Sequence, residues 1–178
     1  ALNELTSNFS KYLTDEELAK VAPMLERLKT LDDRNEKQDS FMSFVKYVWP
    51  QFIEGRHHKI YAQKLQDVAD GKLKRLIINM PPRHTKSEFA SYLFPTWLMG
   101  RRPDLKIIQA THTAELAVGF GRKIKNLIES EDFKDVFPSV SLATDAKASG
   151  RWSTNGGGEY YAVGVGGALA GRGADLAI

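Results

Sequence analysis

The sequence has 178 residues, of which 42% are apolar and 26% are charged, and its formal net charge is +3. This length suits one well-packed domain with a small appendage. The absence of cysteine excludes a disulfide scaffold and cysteine-ligated zinc, and it suits a reducing cytoplasm. No apolar run approaches the roughly 20 residues of a membrane helix, so we expect a soluble protein with no membrane partner. A charge of +3 is too small to indicate nucleic-acid binding by itself.

The N-terminal part of the chain has the pattern of a helix followed by a linker. Thr14 and Glu17 form a capping box, and apolar residues then recur at helical spacing. Pro23 is expected to bend or split this helix, because proline lacks the N–H that a helix interior needs. The polar and charged residues 30–39 are predicted to be a linker.

Two more helices are predicted before the pattern changes. One covers residues 40–48, and the other covers residues 57–69, with Gly71 as its C-terminal signal. We therefore divide the chain into a small helical N-terminal portion, residues 1–48, and a core domain, residues 49–178.

The core domain has the pattern of alternating strands and helices. Residues 73–80 are a short branched-aliphatic run that ends at two prolines, which predicts a buried parallel strand. The elements predicted after it are a helix beyond residue 87 with a kink at Pro95, a strand over residues 106–110, a helix over residues 113–130, a strand over residues 160–165 and the start of a strand over residues 175–178. Such alternation predicts an α/β domain of three layers, αβα, around a mostly parallel sheet.

A phosphate-binding loop is predicted between the first strand and its helix. Lys86 and Ser87 stand where the P-loop motif has its Lys and Ser/Thr. In that motif the Lys contacts the β and γ phosphates, and the hydroxyl binds Mg²⁺ at the start of a helix. Met80 and Thr85 replace the two glycines of the motif. The alternative is that Lys-Ser follows the strand by chance and the prolines mark an ordinary turn.

The composition of this loop explains which groups would bind phosphate. Pro81 and Pro82 have no N–H, so the backbone donors begin at Arg83. A loop with few backbone donors is expected to recruit cationic side chains, and Arg83 and His84 are suited to that role.

Four segments of the sequence resemble phage large terminase subunits. They are Arg75-Leu76-Ile77-Ile78-Asn79-Met80-Pro81-Pro82-Arg83-His84 with Lys86-Ser87-Glu88, Phe52-Ile53-Glu54-Gly55-Arg56-His57-His58, Ala110-Thr111-His112, and Gly164-Val165-Gly166-Gly167-Ala168-Leu169-Ala170-Gly171-Arg172-Gly173-Ala174-Asp175-Leu176. The resemblance covers residues 48–178. Thr85 departs from it, because close relatives have glycine there.

The resemblance implies a P-loop NTPase of the additional-strand, catalytic-glutamate type that uses ATP and Mg²⁺. It also implies a DNA-packaging motor, a homo-oligomeric ring on the procapsid in the host-cell cytoplasm. Its partners would be double-stranded DNA, the portal protein and the small terminase subunit. The acidic residues of the Walker B strand would follow Ile178, and the family's nuclease domain has no room in this chain. We therefore expect residues 1–178 alone to hydrolyse ATP negligibly.

The predicted site residues follow from the loop and from the resemblance. Lys86, Arg83 and Arg172 are the predicted catalytic residues. The arginine finger is either Arg172, which would complete the site of a neighbouring subunit, or Arg83, which lies in the loop and would act in cis. Ser87 is the predicted Mg²⁺ ligand. The residues predicted to bind the nucleotide are Trp49, Phe52, Arg83, His84, Thr85, Lys86, Ser87 and Glu88. By resemblance, Trp49 or Phe52 lies where terminases hold the adenine ring, although both are equally explained as core residues under a helix.

Three other patterns were weighed against simpler explanations. The glycines of residues 164–173 miss G-x-G-x-x-G and lead into a strand, which disfavours a dinucleotide loop and leaves a plain surface turn as the alternative. His57 and His58 lack acidic or cysteine partners at metal spacing. A basic stretch is either a solvated face or a contact to the DNA backbone. It comprises Arg101, Arg102, Lys106, Arg122, Lys123 and Lys125.

Two other functions remain open at this point. A superfamily 2 helicase or translocase has similar motor strands, although the Gly-rich segment favours the terminase. A non-catalytic module that binds nucleotide or nucleic acid would use the same loop without turnover.

Overall fold

The computed structural model describes residues 14–144 and 148–178. The first 13 residues of the predicted N-terminal portion lie outside this described part. The helices are α1 (Asp15–Asp39), α2 (Phe41–Val48), α3 (Arg56–Ala69), α4 (Lys86–Glu88), α5 (Phe94–Arg101), α6 (Ala114–Glu129) and α7 (Glu131–Val136), with a π-helix, Phe89–Leu93, between α4 and α5. The strands are β1 (Lys106–Thr111), β2 (Arg151–Ser153), β3 (Glu159–Gly164) and β4 (Leu176–Ala177). No described helix is long and apolar enough to cross a membrane.

Helix α1 begins at the predicted capping box and corrects two other predictions. The Thr14 hydroxyl accepts from the Glu17 N–H, and the Glu17 carboxylate accepts from the Thr14 N–H. Pro23 lies inside the helix without splitting it, and residues 30–39 are helical rather than a linker. Their polarity reflects a helix that is largely exposed to solvent. Two hydrogen bonds connect it to the rest of the fold: the Trp97 indole N–H donates to the Lys37 carbonyl, and the Gln38 amide donates to the Val136 carbonyl.

Helices α2 and α3 confirm the predicted second and third helices. The Ser40 hydroxyl accepts from the Ser43 N–H and so caps α2. Just beyond α3, Gly71 has a φ of +72°, the left-handed conformation that ends many helices and that glycine adopts without strain.

Residues 75–80 are not the buried parallel strand that the sequence predicts. Leu76, Ile78 and Met80 pack against the core, whereas Ile77 is 87% exposed, so the side chains alternate as they would in a strand. However, no backbone hydrogen bond connects this segment to another described residue. The described sheet ends at β4 on one side and at β2 on the other, and residues 75–80 pair with neither.

The sheet has four strands in the order β2-β3-β1-β4 and is mixed. β1 is parallel to β3, with Ile107 opposite Tyr160, and parallel to β4, with Ile107 opposite Leu176. β2 is antiparallel to β3. The three predicted strands at residues 106–110, 160–165 and 175–178 are therefore confirmed, and the fold is mixed α/β. β2 and α7 had no clear sequence signal because both are very short.

Helix α6 packs along one face of the sheet. The Tyr160 hydroxyl donates to the Ala117 carbonyl, and the Tyr160 ring stacks on Trp152 with centroids 5.0 Å apart. Tyr161 lies on the opposite face, because adjacent strand residues alternate. A layer of helices on that opposite face stays a prediction.

The core joins the N-terminal helices to the helix that follows the predicted phosphate loop. Phe41 of α2 contacts Phe89, Phe94 and Trp97, with ring centroids 5.5–5.6 Å apart. The division at residues 48 and 49 stays a prediction, although both parts contribute to this one core cluster.

Trp97 tests how strongly this core holds α1. Its side chain is fully buried, and its indole N–H donates to the Lys37 carbonyl at 3.1 Å. We expect Trp97→Ala to lower the free energy of unfolding by about 3–5 kcal/mol, because it leaves a cavity and an unpaired carbonyl. Urea unfolding followed by circular dichroism measures the change. Met24→Ala, on a side chain that is 65% exposed, is the control and should stay within about 0.5 kcal/mol.

Candidate site: a strained turn at the start of a helix

The turn at residues 83–85 has an uncommon backbone. Arg83 has a φ of +63° and Thr85 a φ of +59°, and these are the two non-glycine residues with positive φ in the described part of the chain. For an L-residue this conformation costs about 1–2 kcal/mol, and it is rarest for a β-branched side chain such as threonine. Left-handed residues set between ordinary ones turn consecutive N–H groups towards one side, which forms an anion-binding concavity.

The N–H groups of this turn are available to a ligand. Residues 82 and 83 form a hydrogen-bonded turn, and the Thr85 side chain does not cap the helix that follows. No backbone bond outside the regular elements is donated by the N–H of Arg83 or Thr85 to another described residue. The turn's own bonds use other atoms: His84 Nδ1 lies 2.8 Å from the Pro82 carbonyl, and the Thr85 hydroxyl donates to the His84 carbonyl at 2.6 Å. The N–H groups of the first helical turn have no acceptor within a helix, and the helix dipole there favours an anion.

The helix after the turn confirms its predicted position and carries the two motif residues. Lys86 and Ser87 are exposed in its first turn, and neither side chain has a hydrogen-bond or ion-pair partner among the described residues. The π-helix Phe89–Leu93 follows directly, and such segments often occur at functional sites. Pro95 lies in the first turn of α5, directly after the π-helix, and a kink there stays a prediction.

Glu88, a predicted nucleotide-binding residue, is engaged elsewhere. Its carboxylate pairs with Lys123 of α6 at 2.8 Å, and the Lys123 ammonium also lies 5.5 Å from the centre of the Tyr92 ring. Because both charged side chains are partly exposed, the pair contributes little to stability. Lys123 is a neighbour of the turn that the sequence did not indicate.

The N-terminal end of α3 lies beside the turn. The His57 ring centroid is 5.9 Å from that of His84 and 3.8 Å from that of His58. His58 is buried, and its Nδ1 accepts from the Gly55 N–H at 2.9 Å. Burial lowers the pKa of His58, and the neighbouring His57 lowers it further. A neutral His58 keeps its proton on Nε2, which is buried without a partner.

Trp49 and Phe52 are partly buried and belong to the aromatic packing next to His58. Their ring centroids are 5.2 Å apart, and the Phe52 ring also contacts His58 at 4.8 Å and Phe89 at 5.5 Å. These contacts give both residues a packing role. The stacking of adenine on either ring stays a prediction.

The Gly-rich segment follows β3 and leads into β4, as expected. Gly164 lies so close to α6 that a Cβ there would be 2.6 Å from the Ala114 nitrogen. The Arg172 guanidinium stacks over the Tyr161 ring of its own chain, 4.1 Å from the centroid. No contact between Arg172 and the turn occurs in the described structure, so the structure does not bring these two predicted parts of the site together.

The predicted basic stretch is divided among several elements. Arg101 lies 3.6 Å from Asp70 and stacks on Trp97, and Arg102 lies 3.9 Å from Asp104. Its contact with DNA stays a prediction. Among the described residues, no group of three or more His, Cys, Asp or Glu side chains could hold a metal ion.

A separate cleft of about 410 Å³ lies between α2 and α3, and none of its lining residues belongs to the turn. Its lining residues are Asp39, Ser40, Met42, Glu54, Lys59, Ala62, Gln63 and Gln66.

Comparisons with known proteins do not assign the chain to a family. No protein-family model matches the sequence, and searches of curated proteins and of solved structures find no match. The case for a function therefore depends on the turn and its surroundings.

Thr85 tests whether the turn is strained. We expect Thr85→Gly to raise the free energy of unfolding by about 0.5–1 kcal/mol, because glycine adopts positive φ without the steric cost. Thr113→Gly is the matched control: Thr113 has a φ of −120° and caps α6, so its loss should be destabilising by a few tenths of a kcal/mol. Urea unfolding of both variants measures the difference. A Thr85→Gly protein less stable than the wild type would contradict the strain.

Proposed function

We propose that residues 83–88 bind the phosphate chain of a nucleoside triphosphate. The observation that carries this proposal is the turn with positive φ at Arg83 and Thr85, which leads directly into a helix start that no side chain caps. Phosphate oxygens are acceptors without donors of their own, so they complement such a helix start. The strain at Arg83 and Thr85 then has a role, because residues held in unfavourable conformations cluster at ligand sites.

The side chains of the turn supply the charge. Lys86 would contact the β and γ phosphates, and the Ser87 hydroxyl would ligate Mg²⁺ together with phosphate oxygens. Arg83 is exposed and has no acidic partner among the described residues, so it can add a charged hydrogen bond from within the turn. Mg²⁺ favours octahedral coordination by oxygen atoms, and Ser87 supplies only one of these ligands.

We propose ATP as the nucleotide and its hydrolysis as the reaction of the protein. Hydrolysis needs an acidic ligand for Mg²⁺ and a group that orients water. The nearest acidic residue along the chain, Glu88, is held by Lys123. With Glu88 so engaged, we propose binding, rather than turnover, as the activity of residues 1–178 alone.

For the biological role, we propose the motor domain of a viral large terminase that translocates double-stranded DNA. The P-loop NTPase fold, the ring at the portal, the small terminase subunit and the host-cell cytoplasm belong to this proposal. Its support is the sequence resemblance around the turn and in the Gly-rich segment. A helicase-like translocase and a non-catalytic nucleotide-binding module are the competing functions. ATP turnover coupled to DNA movement distinguishes the motors from the binding module.

Lys86 is the most direct test of the phosphate site. We expect Lys86→Ala to weaken Mg²⁺-ATP binding by about 10- to 100-fold, because a charged hydrogen bond to the phosphates is lost. The free energy of unfolding should change by less than about 0.5 kcal/mol, since this exposed side chain has no partner in the part of the chain that the structure describes. Titration calorimetry measures the affinity.

The control for Lys86 is Lys74→Ala. Lys74 is also exposed and has no described partner. Its substitution by alanine therefore removes the same charge from a position outside the turn. Equal affinities of the two variants would show that Lys86 acts only through net charge or not at all.

Arg172 tests the proposed ring. Its contact with Tyr161 is exposed, and such a contact is worth about 0.5–1 kcal/mol, which a phosphate of a neighbouring subunit can outweigh. In the ATP-hydrolysing protein, we expect a mixture of Arg172→Ala and Lys86→Ala subunits to be more active than the sum of the two variants measured separately. Some sites in the mixture then combine an intact loop with an intact arginine. A mixture no better than that sum would contradict action in trans.

A further inference from the structure

We propose that Tyr61 is a positioning residue for the phosphate site, because its hydroxyl holds the backbone carbonyl of Lys86. This inference depends on the proposed nucleotide binding. It extends the site from the turn to helix α3, which the sequence did not connect with Lys86.

The contact is direct and well enclosed. The Tyr61 hydroxyl donates to the Lys86 carbonyl at 2.9 Å, and the tyrosine side chain is 5% exposed. Its ring stacks on Phe89, with centroids 5.4 Å apart and planes at 24°. Burial raises the pKa of the Tyr61 hydroxyl, which therefore stays protonated as a donor, and the Ala90 N–H beside it opposes that rise.

Lys86 needs this contact because few hydrogen bonds fix the backbone on its N-terminal side. Thr85 provides no side-chain cap, and the N–H groups in the first turn of a helix have no acceptor within that helix. The carbonyl of Lys86 is thus the backbone group that ties the residue to the fold, through the Phe89 N–H and the Tyr61 hydroxyl. Fixing this carbonyl restricts the peptide unit and so the direction in which the lysine side chain leaves the helix.

The position of Tyr61 also makes α3 a support with two points of contact. His57 and Tyr61 lie four residues apart, and therefore on one face of the helix. His57 lies against His84 within the turn, and Tyr61 holds Lys86 just after it. The spacing of these residues is the sequence signal that could have identified Tyr61, although a tyrosine on a helix is usually only part of the core.

The backbone conformation after Lys86 makes the orientation of the lysine side chain sensitive to the hydrogen bond from Tyr61. The α-helical turn Lys86–Glu88 changes to a π-helix at Phe89, the residue on which the Tyr61 ring stacks. A π-helix is less favourable than an α-helix and persists where tertiary contacts hold it. Loss of the hydroxyl frees the first turn to shift relative to the rest of the helix.

The test compares Tyr61→Phe with the wild-type chain. Phenylalanine keeps the ring on Phe89 and removes only the hydroxyl. We expect the dissociation constants of Mg²⁺-ATP and of inorganic tripolyphosphate to rise by the same factor, roughly three- to tenfold, the effect of one lost hydrogen bond. Tripolyphosphate has no base, so its response separates an effect at the phosphates from an effect at the adenine.

Tyr160→Phe is the matched control. The Tyr160 hydroxyl also donates to a helix carbonyl, that of Ala117, from a buried position in the sheet. This variant loses a comparable bond without touching the turn, so its affinities should equal those of the wild type. Unchanged binding in Tyr61→Phe, an equal loss in both variants, or a loss for ATP without one for tripolyphosphate would each overturn the proposal.

A measurement without nucleotide separates this inference from the proposed function. The carbonyl carbon resonance of Lys86 should shift in Tyr61→Phe, because a carbonyl that loses a donor changes its electronic environment. If that shift occurs but the wild type binds neither ATP nor tripolyphosphate, the proposed function has failed, and the phosphate role of Tyr61 fails with it. If the resonance does not move, the hydroxyl contact itself is refuted.

Discussion

Three helices meet on the side chain of Phe89. This ring is fully buried, and it contacts Phe41 of α2 together with His58 and Tyr61 of α3. Phe89 lies only three residues after Lys86, so the apolar contacts of one ring fix the place where the helix begins. Full burial of a phenylalanine is worth about 1.5–3 kcal/mol. This gain is of the same order as the cost of the positive φ at Arg83 and Thr85, so the burial of Phe89 offsets much of the strain in the turn.

The strain and the unpaired donors have the same origin. Residues in the left-handed region cannot continue a helix or a strand, so their N–H groups leave the regular hydrogen-bond pattern. The side chains of Arg83 and Lys86 then stand beside these N–H groups in solvent, with no described carboxylate bound to either. Positive charge and directed donors thus occur together, a combination that suits phosphate and has no evident structural purpose. Two residues of α3 contact this segment: the Tyr61 hydroxyl donates to the Lys86 carbonyl, and the His57 ring lies beside the His84 ring.

The sequence predicted the local elements well and the pairing between them less well. Capping and helical spacing gave α2, α3 and α6 closely, because those signals are local. The branched-aliphatic run at residues 73–80 predicted a buried parallel strand, but a strand needs a hydrogen-bonded partner, and residues 75–80 have none among the described strands. The linker predicted at residues 30–39 was wrong because polarity reports solvent exposure rather than the absence of a helix. Within the site, the motif located Lys86 and Ser87, whereas Tyr61 depends on a contact between residues 25 positions apart.

The central claim is that the backbone N–H groups of residues 83–88 bind phosphate. Titration of the isotope-labelled chain with inorganic tripolyphosphate, followed by the backbone amide chemical shifts, tests it at the atoms concerned. The account predicts that the largest shifts occur at the amides of these residues and that Mg²⁺-ATP produces the same set, extended towards Phe52 and His58. Shifts centred elsewhere, such as on the cleft between α2 and α3, or no saturable shifts at all, would contradict it.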